Sequence, residues 1–407
     1  VKVCVIGSGG REHALAHCLA RTSDSVVVTP GNPGIAWSVP DAPEDIDADL
    51  YVVGPEAPLV DGLADRLRAR GGLVFGPGAD GARLEGSKAW MKQVLVDAGV
   101  PTAAHGTFTD LEPALAFLER LPGLYVIKTD GLAAGKGVLV TESLTEAREA
   151  VREYLSGAAF GDAGRRVVLE EGLTGPELSV LAVTDGHRAV ALAPAQDFKR
   201  VGTGDRGPNT GGMGAYSPVP VAPDSVVDQV MESAVAPTLH ALARLGIDYR
   251  GVLYAGLMLT PEGVKVIEYN VRFGDPETQV VLPRLSSDLV ALLAGAAAGS
   301  LGEAPTFVDD AAVTVVLAAA GYPGEPRRGD RIDGVETANA RPGVTVYCAG
   351  VALDAHGALV TAGGRVLGVT ALGDDLATAR ARAYEAVGDI TIAGAHWRTD
   401  IAESASH

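Results

Sequence analysis

Short apolar runs alternate with amphipathic stretches through the first hundred residues. Val3–Ile6, Val26–Thr29, Tyr51–Val53 and Leu73–Phe75 read as buried strands, and Glu12–Arg21 and Val60–Arg70 as the helices between them. That alternation predicts a parallel sheet with crossover helices. Between the second and third strands, Pro30–Asp49 is rich in proline and acid, with little sign of a full crossover helix. Ser87 reads as the N-cap of a helix running to about Asp97, closed by Gly99 and Pro101. From about Pro122 to Asp185 the order is strand, glycine-rich turn, strand, helix, strand, loop, strand, which describes a small α+β unit inserted in a larger domain. Longer elements return over residues 190–300, including a helix at Ser225–Leu245. The tail from about 305 carries short strands, glycine turns and a helix near Leu376–Ala386. No internal repeat is visible.

At 407 residues the chain exceeds one compact core, so two to four domains are expected. Apolar residues at 47% and charged residues at 21% describe an ordinary globular protein. A formal charge of -18 argues against a nucleic-acid partner, which would need a basic stripe. It does not argue against small phosphates, because solvent screens distant charges. Cys4, Cys18 and Cys348 show no metal spacing and suit a reducing compartment. The longest apolar runs, Ala311–Ala320 and Leu289–Gly299, are too short for a bilayer, and a strand within three residues of the start leaves no room for a leader. The expectation is a cytoplasmic protein without a membrane partner.

Five segments carry candidate chemistry. VIGSGGREHAL sets Gly7, Gly9 and Gly10 between a strand and a helix, a turn whose amides favour an anion. Glu12 replaces the third glycine of a dinucleotide fingerprint, which disfavours NAD and leaves a phosphate or phosphosugar site, or a bare tight turn. In YVIKTDGLAAGKGVLV a strand follows the glycines, so a hairpin could fold over phosphates, with Lys128 below and Lys136 at its tip; a surface hairpin is the alternative. VVLEEGLTGPELSV could offer backbone groups to an adenine edge and a carboxylate to ribose, but by itself it reads better as an acidic surface turn. TGDRGPNTGGMGAYSP is a backbone cradle for a small polar ligand or a flexible loop. In VKVIEYNVRFGDPETQ, strand alternation puts Glu268, Asn270 and Arg272 on one face with Val266. A carboxylate and an amide oxygen suit Mg²⁺ bound together with phosphates, and Arg272 could stabilise a transferring phosphoryl group. A satisfied edge-strand charge pair is the bland alternative. His13, His105, His187 and His240 lie in unrelated contexts and read as structural.

Taken in order, GSGGREHAL, PGNPG, VVGPEAPLV, LEGSKAWMK, DGLAAGKGV, GPNTGGMGAYSP, YAGLM, NVRFGDPETQ and GGRVLGVTALG resemble the ATP-grasp superfamily and, within it, the phosphoribosylamine–glycine ligase (glycinamide ribonucleotide synthetase) family. The resemblance covers essentially the whole chain. It implies a fold that mixes α/β and α+β domains: a Rossmann-like N-terminal domain over 1–86, an ATP-grasp domain over 87–304 with a mobile lid at about 122–185, and a small α+β C-terminal domain over 305–407. It implies that ATP meets Lys88, Lys128, Gly131, Gly135, Lys136, Gly137, Glu170, Glu171, Leu173 and Glu177, with Glu268 and Asn270 on Mg²⁺ or Mn²⁺. Glycine and 5-phosphoribosylamine would meet Gly9, Gly10, Glu56, Gly211, Gly212, Arg272, Asp275, Pro276 and Glu277, with Arg272 and Lys128 catalytic. The implied assembly is a monomer or weak homodimer. Three departures stand out: Phe198 replaces the usual histidine of Gln-Asp-His-Lys-Arg, Gly172 stands where a bulky residue covers adenine, and Pro30–Asp49 is short. Gly256 sits where many ATP-grasp enzymes carry an acidic ligand, although the ligase family shares the glycine.

The implied reaction joins glycine to the amine of 5-phosphoribosylamine through glycyl phosphate, in purine biosynthesis. An ATP-grasp ligase for another acid or amine, or a nucleotide-binding protein without turnover, would be the rival.

Overall fold

The computed structural model describes residues 1–131, 137–157 and 165–406. The N-terminal alternation folds as expected. Strands Lys2–Gly7, Ser25–Pro30, Leu50–Val53 and Val74–Phe75 form a parallel sheet with Ser25–Pro30 at one edge and Val74–Phe75 at the other. Helix Gly10–Leu19 lies between the first two in sequence, and the expected helix Val60–Arg70 is two, Glu56–Val60 and Leu63–Ala69, parted by Gly62 at φ +77°. Residues 31–49 contain only one short 3₁₀ turn, Pro43–Asp45.

Ser87 caps the helix Lys88–Ala98 by accepting from Trp90 N at 3.2 Å, and Gly99 ends it at φ +69°. A left-handed residue at this position stops the helix without the strain a side chain would add. Both signals were readable in the sequence.

The expected small unit is real but has other limits. Its antiparallel sheet runs His105–Phe108, Val167–Glu171, Tyr125–Thr129, Val138–Thr141, with helices Leu111–Leu118 and Leu144–Leu155 packed on it. Ala114, Leu118, Ile127, Val151 and Leu169 give it a core of its own. The unit therefore begins near residue 103, not 122. Glu177–Asp185 does not belong to it. That strand joins Ala189–Ala191, Arg250–Thr260 and Gly263–Asn270 in the central antiparallel sheet. The difference arises because a strand belongs to the sheet that hydrogen-bonds it, and these pairings are remote in sequence.

A similar finding holds at the expected 305 boundary. The C-terminal five-stranded sheet is ordered Gln196–Asp197, Gly214–Ser217, Ala311–Ala318, Arg365–Gly373, Val344–Cys348, so its first two strands come from before residue 305. Helix Leu376–Val387 packs on this sheet. The stretch expected as the helix Ser225–Leu245 is Asp224–Val230, a π-turn at Met231–Val235 and Ala236–Arg244. The three cysteines are buried thiols. No helix among the described residues is long and apolar enough to cross a membrane.

Candidate active site

The three units meet at one cleft of about 1160 Å³. Its lining includes Lys88, Lys128, Gly137, Glu170, Glu171, Leu173, Glu177, Glu268, Asn270 and Arg272, together with Glu56, Gly211, Asp275 and Glu277. Residues far apart in sequence thus share one cavity. Gly131 sits beside it, its carbonyl accepting from Lys88 Nζ at 2.9 Å. Gly135 and Lys136 lie outside the described residues.

Glu268 and Asn270 reach the cleft by a route the alternation rule misses. Gly256 pairs with Glu268 but Leu257 pairs with Val266, so Ile267 is an extra residue and the strand bulges there. A bulge reverses the in–out phase. Val266 is buried in the core, and Glu268 and Asn270 face the opposite side with Tyr254 and Gly256. The expectation that Val266 shares their face is therefore corrected. Gly256 matters here, because a Cβ would come within 3.2 Å of Glu268 Cγ.

The charges of the cleft are held in pairs. Lys199 Nζ lies 2.9 Å from Glu177 and 3.9 Å from Glu268. Burial opposes ionisation of Glu268, but Lys199, Lys128, Lys88 and Arg272 outweigh it and hold its pKa below the ordinary value. Arg272 is clasped by Glu85 at 2.8 Å and Glu56 at 3.3 Å, and donates to Asn270 Oδ1 at 3.3 Å. Burial lowers the Lys88 pKa, with Glu268 opposing the shift. Glu170 is 3% exposed; Lys92 binds one of its oxygens at 2.8 Å, and Lys128 approaches the other at 2.8 Å without hydrogen-bond alignment. Glu277 accepts from Tyr254 OH and from Ser179 Oγ, the latter at 3.2 Å.

Several expected binding residues have contacts that serve the fold. Gly9 N donates to Glu12 Oε2 at 2.6 Å, and Arg11 grips the same carboxylate at 2.6 Å. A Cβ on Gly7 or Gly54 would strike Glu12. The turn's anion is thus the protein's own carboxylate, and neither Gly9 nor Gly10 lines the cleft; Gly10 packs against Gln279. Of the glycine run only Gly211 lines it, donating to Tyr322 OH at 3.0 Å and accepting from Arg365 at 2.8 Å. Gly212, at φ +115°, passes Pro276 so closely that a Cβ would sit 2.4 Å from its Cδ, and a Cβ on Gly214 would sit 2.6 Å from Thr314 O. Gly212 and Pro276 are consequently packing partners outside the lining. Glu171 N is committed to Ala104 O at 2.9 Å. At Gly172 the space for a side chain is filled by Leu124, whose Cγ would lie 2.0 Å from a Cβ.

Sequence reasoning missed Glu85, Lys92, Lys199, Ser179, Tyr254 and Arg365. Lys92 carried a signal, since it stands one helical turn after Lys88. Arg365 did not: it arrives from the C-terminal sheet to bond Asp275 at 3.2 Å. Phe198 lies under the Arg398 guanidinium at 4.8 Å, so an aromatic face here meets a cation that is itself held by Asp205 and Asp400. His13 accepts from Cys348 N at 2.9 Å, in keeping with a structural role.

Residues 1–85, 86–278 and 312–404 match in turn the N domain, the ATP-grasp (A) domain and the C domain of phosphoribosylglycinamide synthetase. Phosphoribosylamine–glycine ligase of Synechocystis is 49% identical over 425 residues, covering all of both chains. The Streptomyces coelicolor ligase is 49% identical over 424 residues, again covering both chains fully. The crystal structure of phosphoribosylamine–glycine ligase from Thermotoga maritima superposes with a TM-score of 0.88 at 36% identity, covering 98% of this chain and 100% of that one. A biotin carboxylase domain from Hydrogenobacter thermophilus shares the fold at 17% identity and a TM-score of 0.73, over 97% of this chain and 91% of that one. With every unit matched in order, the chain belongs to the phosphoribosylglycinamide synthetase family.

Proposed function

We propose that this chain joins glycine to 5-phosphoribosylamine at the expense of ATP, giving glycinamide ribonucleotide, ADP and phosphate in purine biosynthesis. The observation that carries the reading is the convergence of Lys88, Lys128, Glu268 and Asn270 on one cleft.

The chemistry explains the need for ATP. A carboxylate is a poor acyl donor because its leaving group would be oxide. Attack of a glycine carboxylate oxygen on the γ-phosphorus of ATP breaks the bond to ADP and gives glycyl phosphate. The amine of phosphoribosylamine then adds to the acyl carbon, phosphate departs with the bonding pair, and the nitrogen loses a proton. Phosphoryl transfer requires positioning and charge compensation more than a covalent protein group. Lys88 and Lys128 would hold phosphates, assisted by the glycine loop from Gly131 to Gly137 with Gly135 and Lys136. Glu170, Glu171 and Leu173 would border the adenine and Glu177 the ribose. Arg272 would compensate charge at the transferred group while exchanging its contact with Glu56. Glu56, Gly211, Asp275 and Glu277 would line the side occupied by glycine and the amine. Closure of the 103–172 unit over the cleft would keep water from the acyl phosphate.

The donor set also fits a hard divalent cation, Mg²⁺ or Mn²⁺. Glu268 is held ionised and Asn270 presents an amide oxygen on the same face, leaving other coordination positions for phosphates and water. Such a cation, when bound, neutralises phosphate charge. We take the enzyme to act in the cytoplasm as a monomer or weak homodimer, without nucleic acid or membrane.

An assay of phosphate release with ATP, glycine and phosphoribosylamine tests the reading. Release should require all three. Release stimulated equally by bicarbonate or by another acid would refute it.

A further inference from the structure

Lys92 stands one helical turn beyond Lys88, yet it lies outside the cleft lining, with its side chain 1% exposed. Its ammonium donates to Glu170 Oε2 at 2.8 Å and to Thr102 Oγ1 at 2.7 Å. Thr102 Oγ1 in turn donates to Val266 O at 2.6 Å. Three segments are thereby tied together: the helix Lys88–Ala98, the strand Val167–Glu171 of the small unit, and the strand that carries Glu268. The other Glu170 oxygen faces Lys128, whose ammonium lines the cleft and donates weakly to Ile267 O at 3.4 Å.

A single carboxylate between two ammoniums is unusual for a buried ion pair. Burying a second cation costs free energy that one shared carboxylate repays only in part, so stability alone does not account for it. Lys128 and Glu170 alone would form a neutral pair with little attraction for an anion. With Lys92 drawing on the same carboxylate from the far side, the three groups carry one net positive charge, and the exposed end of that charge is Lys128.

We propose that Lys92 is a positioning residue for the nucleotide: by holding Glu170 from behind, it leaves Lys128 with uncompensated charge for a phosphate of ATP. The inference rests on reading the cleft as an ATP site. Two consequences follow. Removing the Lys92 charge should weaken ATP binding, but not in a chain that already lacks the Glu170 charge. Burial also pulls the Lys92 pKa down to about 8, with Glu170 and Glu268 favouring the charged form and Lys128 opposing it. The free protein therefore loses this charge as pH rises through about 8, and ATP affinity should fall over the same range.

The test is the dissociation constant of MgATP for the full chain, measured by calorimetry, beside steady-state kinetics and melting temperature. Lys92→Met keeps the length and removes the charge; Glu170→Gln, alone and with Lys92→Met, removes the carboxylate through which Lys92 acts, and any adenine contact of Glu170 is lost equally in both. Lys92→Met should bind MgATP about tenfold more weakly, with the loss in KM more than in kcat, and should lack the alkaline weakening. The double variant should bind as Glu170→Gln alone does. A packing role would lower the melting temperature without moving the alkaline limb. Wild-type affinity in Lys92→Met, or a double variant about tenfold weaker than Glu170→Gln alone, overturns the proposal. So does wild-type binding that is flat from about pH 7 to about pH 9.5, a measurement that stands even if the variants do not fold. A wild-type chain that binds no MgATP refutes the ATP-site reading itself and is told apart in the same experiment.

Discussion

Replacing Glu268 by alanine separates chemistry from folding more cleanly than any other change in the cleft. Its side chain is 35% exposed and its nearest cation, Lys199, is 3.9 Å away, so truncation opens no buried cavity. An exposed contact of this length contributes about 0–1 kcal/mol to stability. Lys199 retains Glu177 at 2.9 Å, so no cation is stranded. The melting temperature should hardly change. Catalysis should suffer far more, because one of the two side chains proposed to hold the metal is gone. Loss of one well-placed group of this kind costs about 3 kcal/mol, or roughly a hundredfold in kcat. The assay is phosphate release at saturating glycine and phosphoribosylamine, titrated with Mg²⁺. Turnover within a factor of a few of wild type at saturating Mg²⁺ would refute the metal-ligand assignment. A large fall in melting temperature would refute the claim that Glu268 is dispensable to the fold.

Glu85→Ala strips Arg272 of its 2.8 Å partner and leaves Val271 N, now donating to Glu85 at 2.9 Å, unpaired; a loss of about 3 kcal/mol, read in urea unfolding, should accompany a fall in kcat. Gly54→Ala would push a methyl to within 2.0 Å of Glu12 Oε1, and should lower the melting temperature by disturbing the carboxylate that Gly9 N and Arg11 share. The Glu268 carboxylate is held below its ordinary 4.5, so whatever its ionised form contributes is complete above that value and lost only as pH falls through the lower folded one. A pH–rate profile should accordingly show no acid limb from Glu268 at or above 4.5. Chelation should abolish phosphate release, and added Mg²⁺ or Mn²⁺ should restore it.

What the sequence made legible was local. Strand and helix alternation in the first hundred residues, the Ser87 cap and the Gly99 stop depend on neighbours in the chain, and all fold as expected. The limits of the small unit depend on His105–Phe108 pairing with Val167–Glu171, a contact with no local signature. The bulge at Ile267 shows the weakness of face arguments: Glu268 and Asn270 remain side by side, but Val266 is turned to the core by a single unpaired residue. The glycine turn differs again. Gly9-x-x-Glu12 carries a capping-box spacing, and Glu12 accepts from Gly9 N, so one of the amides expected to meet an anion is held by the protein's own carboxylate.

The charge balance of the cleft leads to one more conclusion. Among the described residues lining it, carboxylates outnumber cationic side chains, and Lys199, Arg272 and Arg365 are already paired. Lys88 differs: its described hydrogen bond goes to a backbone carbonyl. A bare triphosphate would therefore enter a cleft whose acids repel it and in which several of the bases are engaged. Divalent charge arriving with the nucleotide changes both terms, since it offsets the phosphates and gives Glu268 a stronger partner than the distant Lys199. ATP should consequently bind the chelated protein far more weakly than MgATP binds the untreated one, and the difference should shrink in Glu268→Ala. Equal affinities, measured by calorimetry in the wild-type chain, would mean that the acids of this cleft do not govern its nucleotide binding.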